Sequence, residues 1–117
     1  MGKFDLRKRT YIFSVELVKL LNKISKSGIF SPLLNQLIRS GTSIGANVEE
    51  ADSSPSRKDF KYKLTISKKE AAETVYWMNI LIDTNIFQNN ENLLSMKNLL
   101  NECEQILRIL SAIIRKL

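Results

Sequence analysis

Eight apolar side chains in the C-terminal quarter, Leu93, Met96, Leu100, Cys103, Leu107, Leu110, Ile114 and Leu117, recur alternately three and four residues apart. Only an α-helix brings such positions onto one stripe, and the alternation is the a/d seam along which helices pack side by side. Leu99, Ile106 and Ile113 add a flanking line. A seam this long cannot bury itself, so the chain has to supply other helices of similar length.

Three such segments precede it. In the first, Phe13, Leu17, Leu20 and Ile24 form one line and Tyr11, Ser14, Val18 and Leu21 an adjacent one, with Asp5 as N-cap. Two neighbouring lines predict a broad buried face on a helix ending around Ser27-Gly28. Ser31-Pro32 signals a second start, with Ser31 as N-cap and Pro32 at the first helical position. Leu34, Leu37, Ile38, Ile44 and Val48 then keep phase across Gly41 and Gly45, predicting one helix over about 32–52. The competing reading ends that helix at Ser40 with Gly41 as its C′ residue. After the turn Asp52-Ser53-Ser54-Pro55-Ser56, Ser56 and Asp59 resemble a capping box. The third helix carries Phe60, Leu64, Ser67, Ala71, Thr74, Met78 and Leu81 on one seam. A second line holds Tyr62, Ile66, Glu70, Glu73, Trp77 and Ile80, and the helix ends near Phe87 at Gln88-Asn89-Asn90. With four glycines and two prolines in 117 residues, little turn-forming material remains. The pattern predicts one all-α domain over residues 1–117, an up-down-up-down four-helix bundle with helices of about 20 to 30 residues, roughly 30 to 45 Å each.

Composition removes several functions. There is no histidine, the commonest general base and transition-metal ligand, and no run approaches the roughly 18 apolar residues that span a membrane. Glu70-x-x-Glu73 and Glu49-Glu50 have the chemistry to bind a hard cation, but such acidic pairs are common on helices without metal. No nucleophile has a recognisable base, and Gly41-x-x-x-Gly45 lies within a helix, unlike a phosphate loop. No catalytic residue, metal, cofactor, small-molecule substrate or membrane partner is expected. A single cysteine in an apolar pattern fits a reduced, cytoplasmic protein.

The residues that break the apolar pattern are the candidate functional ones. Arg39, Ser43, Asn47 and Glu50 share one stripe of the second helix. Glu70, Glu73 and Trp77 share a line of the third, and counting from the turn sets Arg39 level with Glu70. Buried carboxylates need partners, so these residues are expected to form a polar network or an interface. The alternative is a solvated charged face. The same count sets Gly41 level with Ser67, so Gly41, Gly45, Ser67 and Ala71 are expected to let helices two and three approach closely; otherwise the glycines face solvent and only weaken the helix.

Net charge is +6, with a pI near 9.6. Lys58, Lys61, Thr65, Lys68 or Lys69, Ala72 and Tyr76 line an outward stripe of helix three, and helix one adds Lys19, Lys23 and Lys26. Such cations are what phosphate contacts need, and they are also what an ordinary solvated face carries.

The run Leu37-Ile38-Arg39-Ser40-Gly41-Thr42-Ser43-Ile44-Gly45-Ala46-Asn47, then Ser56-Arg57-Lys58-Asp59-Phe60, Lys69-Glu70-Ala71, Glu73-Thr74 and Tyr76-Trp77 resemble the bacterial four-helix-bundle proteins encoded in 23S rRNA intervening sequences. Arg9-Thr10 and Phe13-Ser14 fit as well, so the resemblance covers nearly the whole chain. It implies a left-handed bundle assembled as a homopentamer, with no established enzymatic activity. A related branch, the accessory protein of diversity-generating retroelements, is a basic pentamer associated with nucleic acid. Val48-Glu49 departs from the family's pattern by making that turn more acidic. Two functional expectations follow: a non-enzymatic oligomer that binds structured RNA through arrayed Lys and Arg, or a protein-interaction scaffold whose charge is incidental.

Overall fold

The computed structural model describes residues 3–24, 30–84, 87 and 89–117, with side chains described from Leu6 onward in the first helix and from Ser31 onward in the second. Four helices, α1 (Lys3–Lys23), α2 (Phe30–Asp52), α3 (Arg57–Asp83) and α4 (Asn90–Arg115), form an all-α up-down-up-down bundle about 46 Å long. Each helix packs on its chain neighbours, α4 closes on α1, and the backbones of the diagonal pairs α1–α3 and α2–α4 make no close approach among the described residues.

Ser56 caps α3 by accepting from the Asp59 N–H at 3.1 Å. The other half of the expected box differs: the short Asp59 side chain accepts from the Ser56 hydroxyl at 2.8 Å. Asn89 caps α4, accepting from the N–H groups of Glu91 and Asn92. Three boundaries differ from the sequence reading. Asp5 and Ser31 lie inside helices that begin at Lys3 and Phe30, α1 stops at Lys23, and α3 stops at Asp83 with Thr84 as its cap. Amphipathic spacing continues past both C-terminal ends, so periodicity alone extends each helix too far. Gly28 and Gln88 lie outside the described residues.

The core is built from one seam per helix. Leu64, Ser67, Ala71, Thr74, Met78 and Leu81 are all buried on α3, as their spacing predicts, with Phe60 half-buried at the end. On α4 the buried line is Met96, Cys103, Ile106 and Leu110. Met96, Cys103 and Leu110 repeat every seven residues on the expected seam and Ile106 joins them from the flanking line, while Leu100, Leu107 and Ile114 of the seam are only partly buried. On α1, Leu6, Thr10, Phe13, Leu17, Leu20 and Leu21 are buried. The second expected line is only partly covered: Leu21 is buried and Ser14 half-buried, but Tyr11 and Val18 are exposed, since α1 has neighbours on two sides only.

α2 runs unbroken through both glycines. Their partner is α1, not α3. A Cβ on Gly41 would strike Leu17 Cδ2, and one on Gly45 would lie 3.2 Å from the Thr10 carbonyl oxygen. The α2–α3 contact is close for a different reason, a set of small hydroxyl residues. The Ser67 hydroxyl donates to the Ile44 carbonyl at 2.8 Å, and Thr74 Oγ1 lies 2.9 Å from Ser40 Oγ. Equal counting from a turn gives the level of a residue but not its rotation about the helix axis, which is why the glycines were expected on the wrong side.

Candidate functional site

Charged side chains stitch the bundle along its seams. Arg39 on α2 reaches α3, where it bonds Glu70 at 3.1 Å and pairs with Glu73. Glu70 is the less exposed of the two acids, at 14%. Trp77 follows one turn later, half-buried, with its indole N–H enclosed and unpartnered among the described residues. The rest of the expected α2 stripe does not join this cluster. Ser43 donates to the Arg39 carbonyl at 2.6 Å and Asn47 to the Ser43 carbonyl at 2.8 Å, both within α2. Glu50 bonds Lys63 at 2.7 Å, which holds that ammonium above its ordinary pKa. The stripe is therefore a pair of separate inter-helix clasps with local helix bonds between them.

Two clasps on α1 escaped the sequence reading. Arg9 grips Glu102 of α4 through both forks, at 2.7 and 2.8 Å, and donates to Gln105 at 2.7 Å. The hydrogen bond to Glu102 raises the Arg9 pKa against a smaller opposing effect of burial. Arg7 bonds Asp52 at 2.9 Å and pairs with Glu49 near the end of α2. The signal was present in the sequence, since Arg7 and Arg9 flank the buried line of α1 at Leu6 and Thr10. Their acceptors lie more than 40 residues away and carry no local pattern.

The clasps shape what charge remains. Arg7, Arg9, Arg39 and Lys63 together engage Glu49, Asp52, Glu102, Glu70, Glu73 and Glu50. Half of the chain's twelve acidic residues are thereby engaged by four of its eighteen cations. Lys58, Lys61, Lys68 and Lys69 stand exposed on α3 with no ion pair among the described residues. Lys19 and Lys23 are exposed on α1, where they border an open groove against Ser95, Asn98 and Leu99 of α4. Because α1 and α3 are diagonal, these two lysine sets do not form one surface on a single chain. Lys26 lies outside the described residues.

Cys103 is enclosed and within 3.5 Å of the Ala71 carbonyl, and burial, with Glu104 and Glu102 adding to it, pushes its pKa up to about 12. A thiol held that firmly protonated is not a nucleophile. Among the described residues no group of His, Cys, Asp and Glu side chains is placed to hold a metal ion. Among the described residues no helix is long and apolar enough to cross a membrane.

The fold and its charged seams define a class, the all-α up-and-down bundle with a cationic outer helix. The family model described as 23S rRNA-intervening sequence protein matches residues 3–112, and the chain belongs to that family. A crystal structure of a protein of unknown function from the S23 ribosomal protein family of Bacteroides thetaiotaomicron VPI-5482 is similar, at 34% identity and a TM-score of 0.83. The likeness covers 98% of this chain and 99% of that one. Among curated proteins none matches.

Proposed function

We propose that this bundle acts without enzymatic chemistry, as a homo-oligomer that binds structured RNA through the lysine face of α3. The observation that carries the reading is the separation of charge. Lys58, Lys61, Lys68 and Lys69 are exposed, while the carboxylates on the flank of the same helix, Glu70 and Glu73, are covered by Arg39. A lysine face whose flanking carboxylates are engaged attracts phosphate along its middle, with the exposed Asp59 and Asp83 confined to the two ends of the helix. The family's link to 23S rRNA intervening sequences favours RNA as the anion. The buried, protonated Cys103 suits a reducing cytoplasm.

Self-association has its own support. Tyr11, Ile12 and Val18 of α1 are exposed at 69%, 48% and 44%, an apolar surface unusual on a soluble bundle. The same residues favour a second reading, a protein-interaction scaffold with incidental charge. Binding of labelled rRNA fragments across a salt series separates the two. RNA binding through four lysines predicts affinity falling with salt at a log–log slope of about −3 to −4 per chain. Absence of salt-dependent binding by the intact protein, with light scattering showing an oligomer, would leave the scaffold.

A further inference from the structure

We propose that the outer face of α3 takes unpaired nucleotides, with Tyr62 and Tyr76 as stacking platforms and the lysines between them as phosphate contacts. The proposal rests on the RNA-binding reading above and specifies which form of RNA the face accepts.

Lys58, Tyr62, Thr65, Lys69, Ala72 and Tyr76 recur four and three residues apart, and all six are exposed. They form one straight stripe on the side of α3 opposite its buried seam. Tyr62, on the second line of α3 with Ile66 and Trp77, is 62% exposed, and Tyr76 is 61% exposed. Fourteen residues of helix set the two rings roughly 21 Å apart along the axis, with Lys69 midway. Lys61 and Lys68 run beside them, seven residues apart.

Tyr76 is held in place. Its ring meets the Trp77 ring edge-on, with centroids 5.3 Å apart and planes at 68°. Trp77 is itself half-buried against the core. A ring positioned in advance loses little freedom when a base stacks on it.

The mixture of rings and cations selects the ligand. A duplex keeps its bases stacked within the helix, and the deep groove of A-form RNA is closed to side chains, so outward tyrosines would add nothing there. Unpaired bases offer a π-face to any aromatic ring, while their phosphates meet the lysines. Pairing this face with the same face of a second copy would set lysines against lysines, and a head-to-tail contact with a different face would show as a change of oligomer mass in the variants below.

The test compares a labelled mixed-sequence single-stranded RNA with the same strand in a duplex, by fluorescence anisotropy on the full chain. Tyr62→Ala and Tyr76→Ala should each weaken single-strand binding roughly five- to hundredfold. Duplex affinity and the salt slope should stay as they are, and Tyr→Phe at either position should retain binding. Both side chains are exposed, so folding is not at risk, and circular dichroism checks it. If the alanine variants bind the single strand like the parent while salt-dependent binding persists, stacking is overturned and the RNA-binding reading survives. If the parent protein binds neither form, both fall. A change in oligomer mass in the alanine variants would show the rings covered by another copy, which also overturns the proposal.

Discussion

Leu17 Cδ2 occupies the space that a side chain on Gly41 would need. The glycine is therefore what allows α1 and α2 to share one layer of the core, with Phe13 against the same spot. Glycine in a helix interior sacrifices about 1 kcal/mol relative to alanine, and packing against Leu17 offsets it.

This relationship predicts a reversal of sign. Gly41→Ala should destabilise the protein by about 1 kcal/mol, the overpacking cost exceeding the gain in helix propensity. In a Leu17→Ala background the collision is gone, and the same substitution should stabilise by about 1 kcal/mol. Urea unfolding of the four proteins measures both. A Gly41→Ala change that stabilises equally in either background would refute the contact.

Arg39 is predicted to matter twice. It is half-exposed, so losing its bonds to Glu70 and Glu73 should cost about 1 kcal/mol or less in stability. Arg39→Ala also uncovers two carboxylates on the flank of the lysine face, and RNA affinity should fall more than stability does. Glu70→Gln with Glu73→Gln in that background should restore much of the binding. No recovery would mean that Arg39 acts by contacting RNA itself.

Cys103 predicts a pH dependence with a definite sign. Its folded pKa, about 12, lies above that of an unfolded thiol near 9, so the folded state holds a proton that the unfolded state releases. The stability this contributes is fully present below about pH 9 and is lost as pH rises toward 12, at roughly 1.4 kcal/mol per pH unit. Denaturant titrations of the parent and of Cys103→Ala should diverge only in that alkaline window. Parallel curves would show that the thiol ionises as freely in the fold as outside it.

The buried seam of α3 was legible residue by residue, because six positions from Leu64 to Leu81 repeat a period that only a helix buries. So was the Arg39–Glu70 pairing, since an arginine and a glutamate at equal distance from a tight turn lie at one level of an antiparallel pair. Rotation about the axis was not legible. It put Gly41 and Gly45 against α1, Tyr62 in solvent, and Ile106 rather than Leu107 in the core. Long-range arginine clasps were equally hidden, because Arg9 and Glu102 stand 93 residues apart. Which lysines could act together depended on the diagonal placement of α1 and α3, a property of the assembled bundle and of no single segment.

The most direct test of the RNA-binding account is the salt dependence of RNA affinity in two lysine variants. Replacing Lys58, Lys61, Lys68 and Lys69 with glutamine should weaken RNA binding and flatten the log–log salt slope by about 3 to 4. Replacing Lys19 and Lys23, on the far side of the bundle, should leave that slope nearly unchanged. Equal losses in the two variants, or an unaltered slope in the first, would contradict the assignment of the interface to α3.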